Sequence, residues 1–196
     1  MTGRSLVHFE GVSFQQVPLA DWIFFYSSRG VQYFFEGLAQ AGLSLPAGVR
    51  LAALGQGTAR ALARYGQRAA FSGAGDPGPT ARAFARQAAG QQVLFPRARR
   101  SRRSVQQALG DAIRAIDLVV YDNRPAADIP AGPFDVLVFT SPLNAEAYFA
   151  QHSLSPGQRI VAIGATTAAA LEALGAGKVI VAEAPTEAAL AEAAMG

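Results

Sequence analysis

The chain has 196 residues, 51% of them apolar, a net charge of +3 from 17 basic and 14 acidic residues, and no cysteine. That length and composition allow one sizeable core or two small ones and argue against disorder. Disulfides, thiolate chemistry and metal binding are not expected, because cysteine is absent and His8 and His152 stand far apart; with no long apolar run, and no secretory-type apolar core behind Met1-Thr2-Gly3-Arg4-Ser5, a cytoplasmic protein without membrane contact is expected.

Short apolar runs alternate with alanine- and leucine-rich stretches of helical length, the order of βα units around a parallel sheet. Residues 7–14 read as a short, partly alternating strand-type segment. Strands are then predicted at 22–26, 50–54, 69–71 and 93–95, followed in turn by helices at 31–41, 57–65, 80–89 and 104–113. A strand at 118–121 precedes a proline-rich linker at 124–130. Strands at 136–139, 159–163 and 179–181 then alternate with helices at 145–152, 166–174 and 186–195. Several of these helices open with a Ser or Thr suited to capping free backbone N–H groups.

The chain also repeats itself. Asp21-Trp-Ile-Phe-Phe-Tyr-Ser27, followed by a helix with Tyr33 and Phe34, matches Asp135-Val-Leu-Val-Phe-Thr-Ser141, followed by a helix with Tyr148 and Phe149. Leu51-Ala-Ala-Leu-Gly55-Gln-Gly-Thr58 parallels Ile160-Val-Ala-Ile-Gly164-Ala-Thr-Thr167, Gly66 parallels Gly175, and Thr80, opening the next helix, parallels Thr186. An internal duplication accounts for landmarks that keep one order and nearly one offset. It implies a first α/β domain at 15–115, inserted into a second at 127–196 that also takes residues 1–6, with 7–14 and 116–126 as a two-stranded linker and hinge.

Parallel sheets bind ligands at the carboxyl ends of their strands, where βα turns present backbone N–H groups and helix dipoles. Both copies place hydroxyls there: Tyr26, Ser27 and Ser28, with Arg29, in the first, Thr140 and Ser141 in the second, and Thr58, Thr166 and Thr167 in the glycine-containing turns at Gly55 and Gly164. The set suits carboxylate or phosphate facing a shared cleft, although each hydroxyl could equally cap its helix. No dinucleotide fingerprint, P-loop, carboxylate pair or Ser/His/Asp arrangement is present. Tyr121, ending a strand, is the best candidate proton donor, with an ordinary half-buried strand tyrosine as the plain alternative. Five arginines in Pro96-Arg97-Ala98-Arg99-Arg100-Ser101-Arg102-Arg103-Ser104 should attract polyanions, or simply form a solvated helix start. Without interleaved aromatics or a recognition helix, nucleic acid is not an expected partner.

Taken in order, Asp-Trp-Ile-Phe-Phe-Tyr-Ser-Ser-Arg-Gly-Val, Leu-Ala-Ala-Leu-Gly-Gln-Gly-Thr, Val-Leu-Phe-Pro-Arg, Val-Val-Tyr, Val-Phe-Thr-Ser-Pro, Ile-Val-Ala-Ile-Gly-Ala-Thr-Thr and Ala-Glu-Ala-Pro-Thr resemble the uroporphyrinogen-III synthase family over residues 9 to 192. The resemblance implies two flavodoxin-like parallel-sheet domains with the active site in the cleft between them. It implies dehydrative closure of the linear tetrapyrrole hydroxymethylbilane to uroporphyrinogen III, with inversion of the last pyrrole ring and no cofactor or metal. The ligand would be a polycarboxylate bearing an acetate and a propionate on each pyrrole. Ser27, Arg29, Thr58, Ser141 and Thr167 align with substrate-contacting turns, as do Ser28, Gly164, Thr166 and Arg97, and Tyr121 aligns with the proton-donating linker tyrosine. A monomer is expected, with a transient contact with hydroxymethylbilane synthase. The family normally begins with a further strand and helix, so the second domain is expected to expose a sheet edge unless the chain is shortened or a partner copy fills it. A non-catalytic, hinge-type binding module for a small polyanion is the rival reading.

Overall fold

The computed structural model describes residues 3–196, and the expected placement of residues 1 and 2 with the second domain lies outside the described residues. The chain divides into two compact units, one spanning Phe9–Asn123 and the other combining the segment that ends at His8 with Arg124–Gly196.

Strands β1 (Val7–Gly11), β2 (Trp22–Phe25), β3 (Arg50–Ala53), β4 (Phe71–Ser72), β5 (Gln92–Ala98) and β6 (Arg114–Pro125) form one sheet in the order β1-β6-β5-β2-β3-β4, carried by the first unit apart from Val7 and His8 of β1 and Arg124 and Pro125 of β6, which fall in the second. Strands β2 to β6 are parallel. Counted along the chain, the five run 3-2-1-4-5 across the sheet, a doubly wound order that differs from the flavodoxin order 2-1-3-4-5. The topological switch therefore falls between β2 and β5. Strand β1 runs antiparallel to β6: Val12 N donates to Val120 O at 3.0 Å, and Ala126 N to Leu6 O at 2.8 Å.

Both faces of this sheet are covered, so β2 is buried at all four positions instead of alternating with polar residues. The period of two sorts the side chains. Ile23 and Phe25 pack with Phe34, Leu38 and Leu62 from helices α1 (Ser28–Ala41) and α2 (Gln56–Arg64). Trp22 and Phe24 pack with Phe84, Ala88, Val105 and Leu109 from α3 (Pro77–Ala88) and α4 (Ser104–Leu109). Trp22 is 1% exposed, meets Phe84 edge-on at 5.1 Å, and donates its indole N–H to Gln91 at 2.7 Å.

The second unit carries a three-stranded parallel sheet, β7 (Val136–Phe139), β8 (Arg159–Ala162) and β9 (Val179–Val181), in that order. Its helices are α5 (Pro142–Phe149), α6 (Ala165–Ala173) and α7 (Glu187–Met195). Leu190 and Ala194 of α7 cover one face through Val161 and Ala182. The aromatic geometry of the two units repeats at a constant offset. Phe25 and Phe34 meet at 5.5 Å and 68°, and Phe139 and Tyr148 at 5.7 Å and 69°.

Two expectations need correction. Thr80 does not open a helix: α3 begins at Pro77, capped by Asp76, whose carboxylate accepts from Gly78 N at 3.1 Å. Thr80 is instead buried against Gly73, whose missing side chain makes room for it. The predicted helix 104–113 ends at Leu109 and gives way to a 3₁₀ turn, Gly110–Ala112, because Gly110 at φ +49° breaks it.

Candidate functional site

The turns after β2 and β7 have the same construction. Ser27 accepts from Gly30 N at 3.1 Å and Ser141 from Asn144 N at 3.3 Å, so each serine caps the helix that follows. Around the first turn the surface opens into a groove of about 610 Å3 lined by Ser27, Ser28, Arg29, Gln32, Ala61, Arg64 and Tyr65. It holds two arginines and no carboxylate. Sequence reasoning identified Ser27, Ser28 and Arg29 but not Gln32, Arg64 or Tyr65. The first lies one helical turn beyond Ser28, a legible signal, whereas Arg64 and Tyr65 come from the far end of α2 and are brought in by helix packing.

The turns after β3 and β8 form a second pair. Both helices start at a glycine with extended backbone and no side-chain cap, Gly55 before α2 and Gly164 before α6. Thr58 N bonds Gly55 O at 3.1 Å and Thr167 N bonds Gly164 O at 3.0 Å. Thr58 and Thr167, each the third residue of its helix, are buried, while Thr166 is exposed. The first-turn N–H groups of both helices are free of side-chain caps, which favours a negative group there. At the far ends Gly66 and Gly175 adopt φ +69° and +81°, the left-handed exit that glycine permits.

The arginine run begins within β5 at Arg97, passes through a turn at Arg99 and Arg100, and ends at Arg103, which at φ +53° is the N-cap residue of α4. Arg97 is 7% exposed. Its guanidinium pairs with Asp117 at 2.7 Å and donates to the carbonyls of Ala98 at 2.9 Å and Arg99 at 3.1 Å, while its Nε has no partner among the described residues. Gln106 donates to Asp117 at 2.8 Å, and Arg103 approaches it at 3.4 Å. Burial works to raise the Asp117 carboxyl, but the Arg97 and Gln106 hydrogen bonds with the Arg97 and Arg103 charges outweigh it and hold the group below its ordinary range. Tyr26, ending the strand beside β5, donates to Gln106 Oε1 at 3.0 Å and accepts from Gln106 N at 3.3 Å. Burial pushes this phenol well above its ordinary value and keeps it a donor.

Tyr121 lies on β6, half-buried. Its ring stacks on Tyr33 at 5.2 Å and 18° and meets Phe9 at 6.3 Å. Tyr33 donates to Phe9 O at 3.0 Å, and the Arg29 guanidinium sits 3.5 Å over the Phe9 ring. The chain Tyr33, Tyr121, Phe9 and Arg29 thus links the candidate proton donor to the serine turn. The other candidates, Ser141, Gly164, Thr166 and Thr167, belong to the second unit. Among the described residues no helix is long and apolar enough to cross a membrane.

Residues 11–192 match the family model described as uroporphyrinogen-III synthase HemD. The chain is 30% identical over 207 residues to a uroporphyrinogen-III synthase of Chlorobaculum parvum, covering 88% of this chain and 81% of that one. Among solved structures it is similar to a uroporphyrinogen-III synthetase of Helicobacter pylori, with a TM-score of 0.73 at 21% identity over 97% of this chain and 90% of that one. It is also similar to a mutant uroporphyrinogen III synthase of Thermus thermophilus, with a TM-score of 0.61 at 19% identity over 95% and 83%. These two likenesses concern the fold.

Proposed function

The chain belongs to the uroporphyrinogen-III synthase family, and on that premise we propose that it closes hydroxymethylbilane to uroporphyrinogen III, holding the substrate's carboxylates on its hydroxyl-bearing turns. The groove at Ser27, Ser28 and Arg29 carries this assignment of the site, because two arginines without a competing carboxylate suit a polyanion. Thr58, Ser141, Gly164, Thr166 and Thr167 add hydrogen-bond donors from the other three turns. Arg97 contributes indirectly, by shaping the loop that its guanidinium holds. The duplication read from the sequence is supported by the repeated caps and aromatic pairs. The hinge-type binding module gains no support from relatives that are named as synthases.

In the chemistry, the Tyr121 phenol donates a proton to the terminal hydroxyl, which leaves as water with its bonding electron pair. The resulting azafulvenium carbon is attacked by the substituted α-carbon of the last pyrrole, giving a spiro intermediate. Fragmentation and re-closure invert that ring, and loss of a ring proton, returned to the phenolate, restores aromaticity. Held geometry decides between this course and simple closure, so the residues act mainly by positioning. The reading also includes a monomeric, cytoplasmic chain that meets hydroxymethylbilane synthase transiently.

The purified chain is supplied with hydroxymethylbilane, and the oxidised uroporphyrin I and III isomers are resolved by chromatography. Isomer III should dominate and fall by about 10²-fold or more in Tyr121→Phe, the scale of a lost proton donor. Isomer I alone from the unaltered chain refutes the assignment.

A further inference from the structure

Charge in this molecule is concentrated in one loop. Arg97, Arg99, Arg100, Arg102 and Arg103 face two carboxylates, Asp117 and Asp122, leaving an excess of three that equals the net charge of the whole chain, +3. Arg100 and Arg102 are exposed and make no ion pair among the described residues. The loop is held firmly for a surface segment. Arg97 ties down the carbonyls of Ala98 and Arg99, Arg99 N bonds Tyr121 O at 2.9 Å, and Ser101 Oγ accepts from Arg103 N at 3.3 Å. A non-glycine residue at φ +53° costs stability that these contacts must offset.

Its place is specific as well. The loop leaves the carboxyl end of β5, and the Ser27–Arg29 turn leaves the carboxyl end of β2; these are the two strands between which the sheet order reverses. Open parallel sheets take ligands at that switch point. Tyr26 and Gln106 bind the two sides together, and a Cβ on Gly30 would lie 3.5 Å from Pro96 O of β5.

We propose that the 99–103 loop is an electrostatic capture element, with Arg100 and Arg102 drawing the polycarboxylate substrate to the switch point of the first unit before it settles on the serine turn. This rests on the synthase reading. Desolvation of the two arginines is not required: unpaired charges on a rigid loop raise the local concentration of a polyanion and speed encounter, an effect that salt screens.

The test uses preformed hydroxymethylbilane, so that no second enzyme responds to salt, and measures isomer III formation from low to high KCl. Arg100→Gln with Arg102→Gln should lower kcat/KM about three- to tenfold at low salt, with kcat within about twofold and a shallower salt dependence. The control, Arg82→Gln with Arg86→Gln on exposed positions of α3, makes the same change in net charge and should keep kcat/KM within about twofold. If the loop variant keeps the wild-type kcat/KM and salt slope while isomer III still forms, the capture proposal falls and the synthase reading stands. An equal loss in the control also overturns it, because net charge alone would then explain the effect. Isomer I alone from the unaltered chain overturns both.

Discussion

Ser27 and Ser141 cap helices at equivalent turns, yet the surroundings of the two differ in charge. Arg29 and Arg64 line the groove at Ser27, and the 99–103 loop leaves the neighbouring strand on the same side of the sheet. In the second unit, the cations beyond residue 130 are Arg159, the first residue of β8, and Lys178, just ahead of β9. Both sit at the amino ends of strands, opposite the hydroxyl turns, and Arg159 is committed to Ala194 O at 2.8 Å. One backbone plan thus carries two surface chemistries: arginines beside the turn of the first unit, and neither Lys nor Arg at the turns beyond residue 130 in the second.

The cores differ in the same sense. The first unit buries six large aromatics, Trp22, Phe24, Phe25, Phe34, Phe84 and Phe95, almost completely, whereas the second buries two, Phe139 and Tyr148, beside Ile160, Leu171 and alanines. Phe84→Ala should therefore cost about 3–5 kcal/mol in denaturant unfolding of the first unit. Native-state hydrogen exchange should find the amides of β7 to β9 less protected than those of β2, β3 and β5, and equal protection would contradict the contrast.

Next in size is Asp117, which has no counterpart in the second unit. Its folded-state carboxyl lies below its ordinary value, so its bonds stabilise the fold above about pH 4 and are lost as pH falls through the lowered pKa. Asp117→Asn should cost about 2–3 kcal/mol at neutral pH, leaving the Arg97 charge poorly paired. As pH falls below about 4, the variant should lose stability less steeply than the unaltered chain, which a set of thermal melts would show.

The two uncapped glycines give a sharper contrast. A Cβ on Gly55 would lie 3.0 Å from Gly75 Cα and 3.2 Å from Gly75 N, whereas nothing lies within 4 Å of one on Gly164. Gly55→Ala should cost about 1–3 kcal/mol, because backbone has to shift, and Gly164→Ala less than about 0.5. Smallest are the caps. Ser27→Ala and Ser141→Ala should each lose about 1 kcal/mol of stability, but Ser27→Ala should raise KM more, since its turn adjoins the arginines.

Much of this was legible because strand cores and capping serines leave local signals. The runs at Trp22 and Val136 are strands on both counts, and Ser27 and Ser141 announced their helices. Asp76-Pro77 is also a local helix-start signal, and the match of Thr80 to Thr186 in the repeat does not extend to capping, which Thr186 does for its helix and Asp76 does in the first unit. Counted from the capping serines, Phe34 and not Tyr33 corresponds to Tyr148, and Phe34 and Tyr148 are the buried members of each pair. What a linear pattern could not convey is partnership at a distance. Arg97 reads in the sequence as a substrate-contacting cation within a run of five, and only the pairing of β5 with β6 brings Asp117 within 2.7 Å of it. Arg64 joins the serine groove for the same reason, through the packing of α2 beside α1.

Trp22 is the single tryptophan of the chain, sealed between Phe84 and the Arg50 guanidinium, which lies 4.1 Å over its ring. Its emission should be blue-shifted and should report the first unit alone. Far-ultraviolet circular dichroism sums the helices of both units. Melting curves recorded by the two signals will coincide only if the units unfold together, so one natural fluorophore makes their cooperativity measurable without a label.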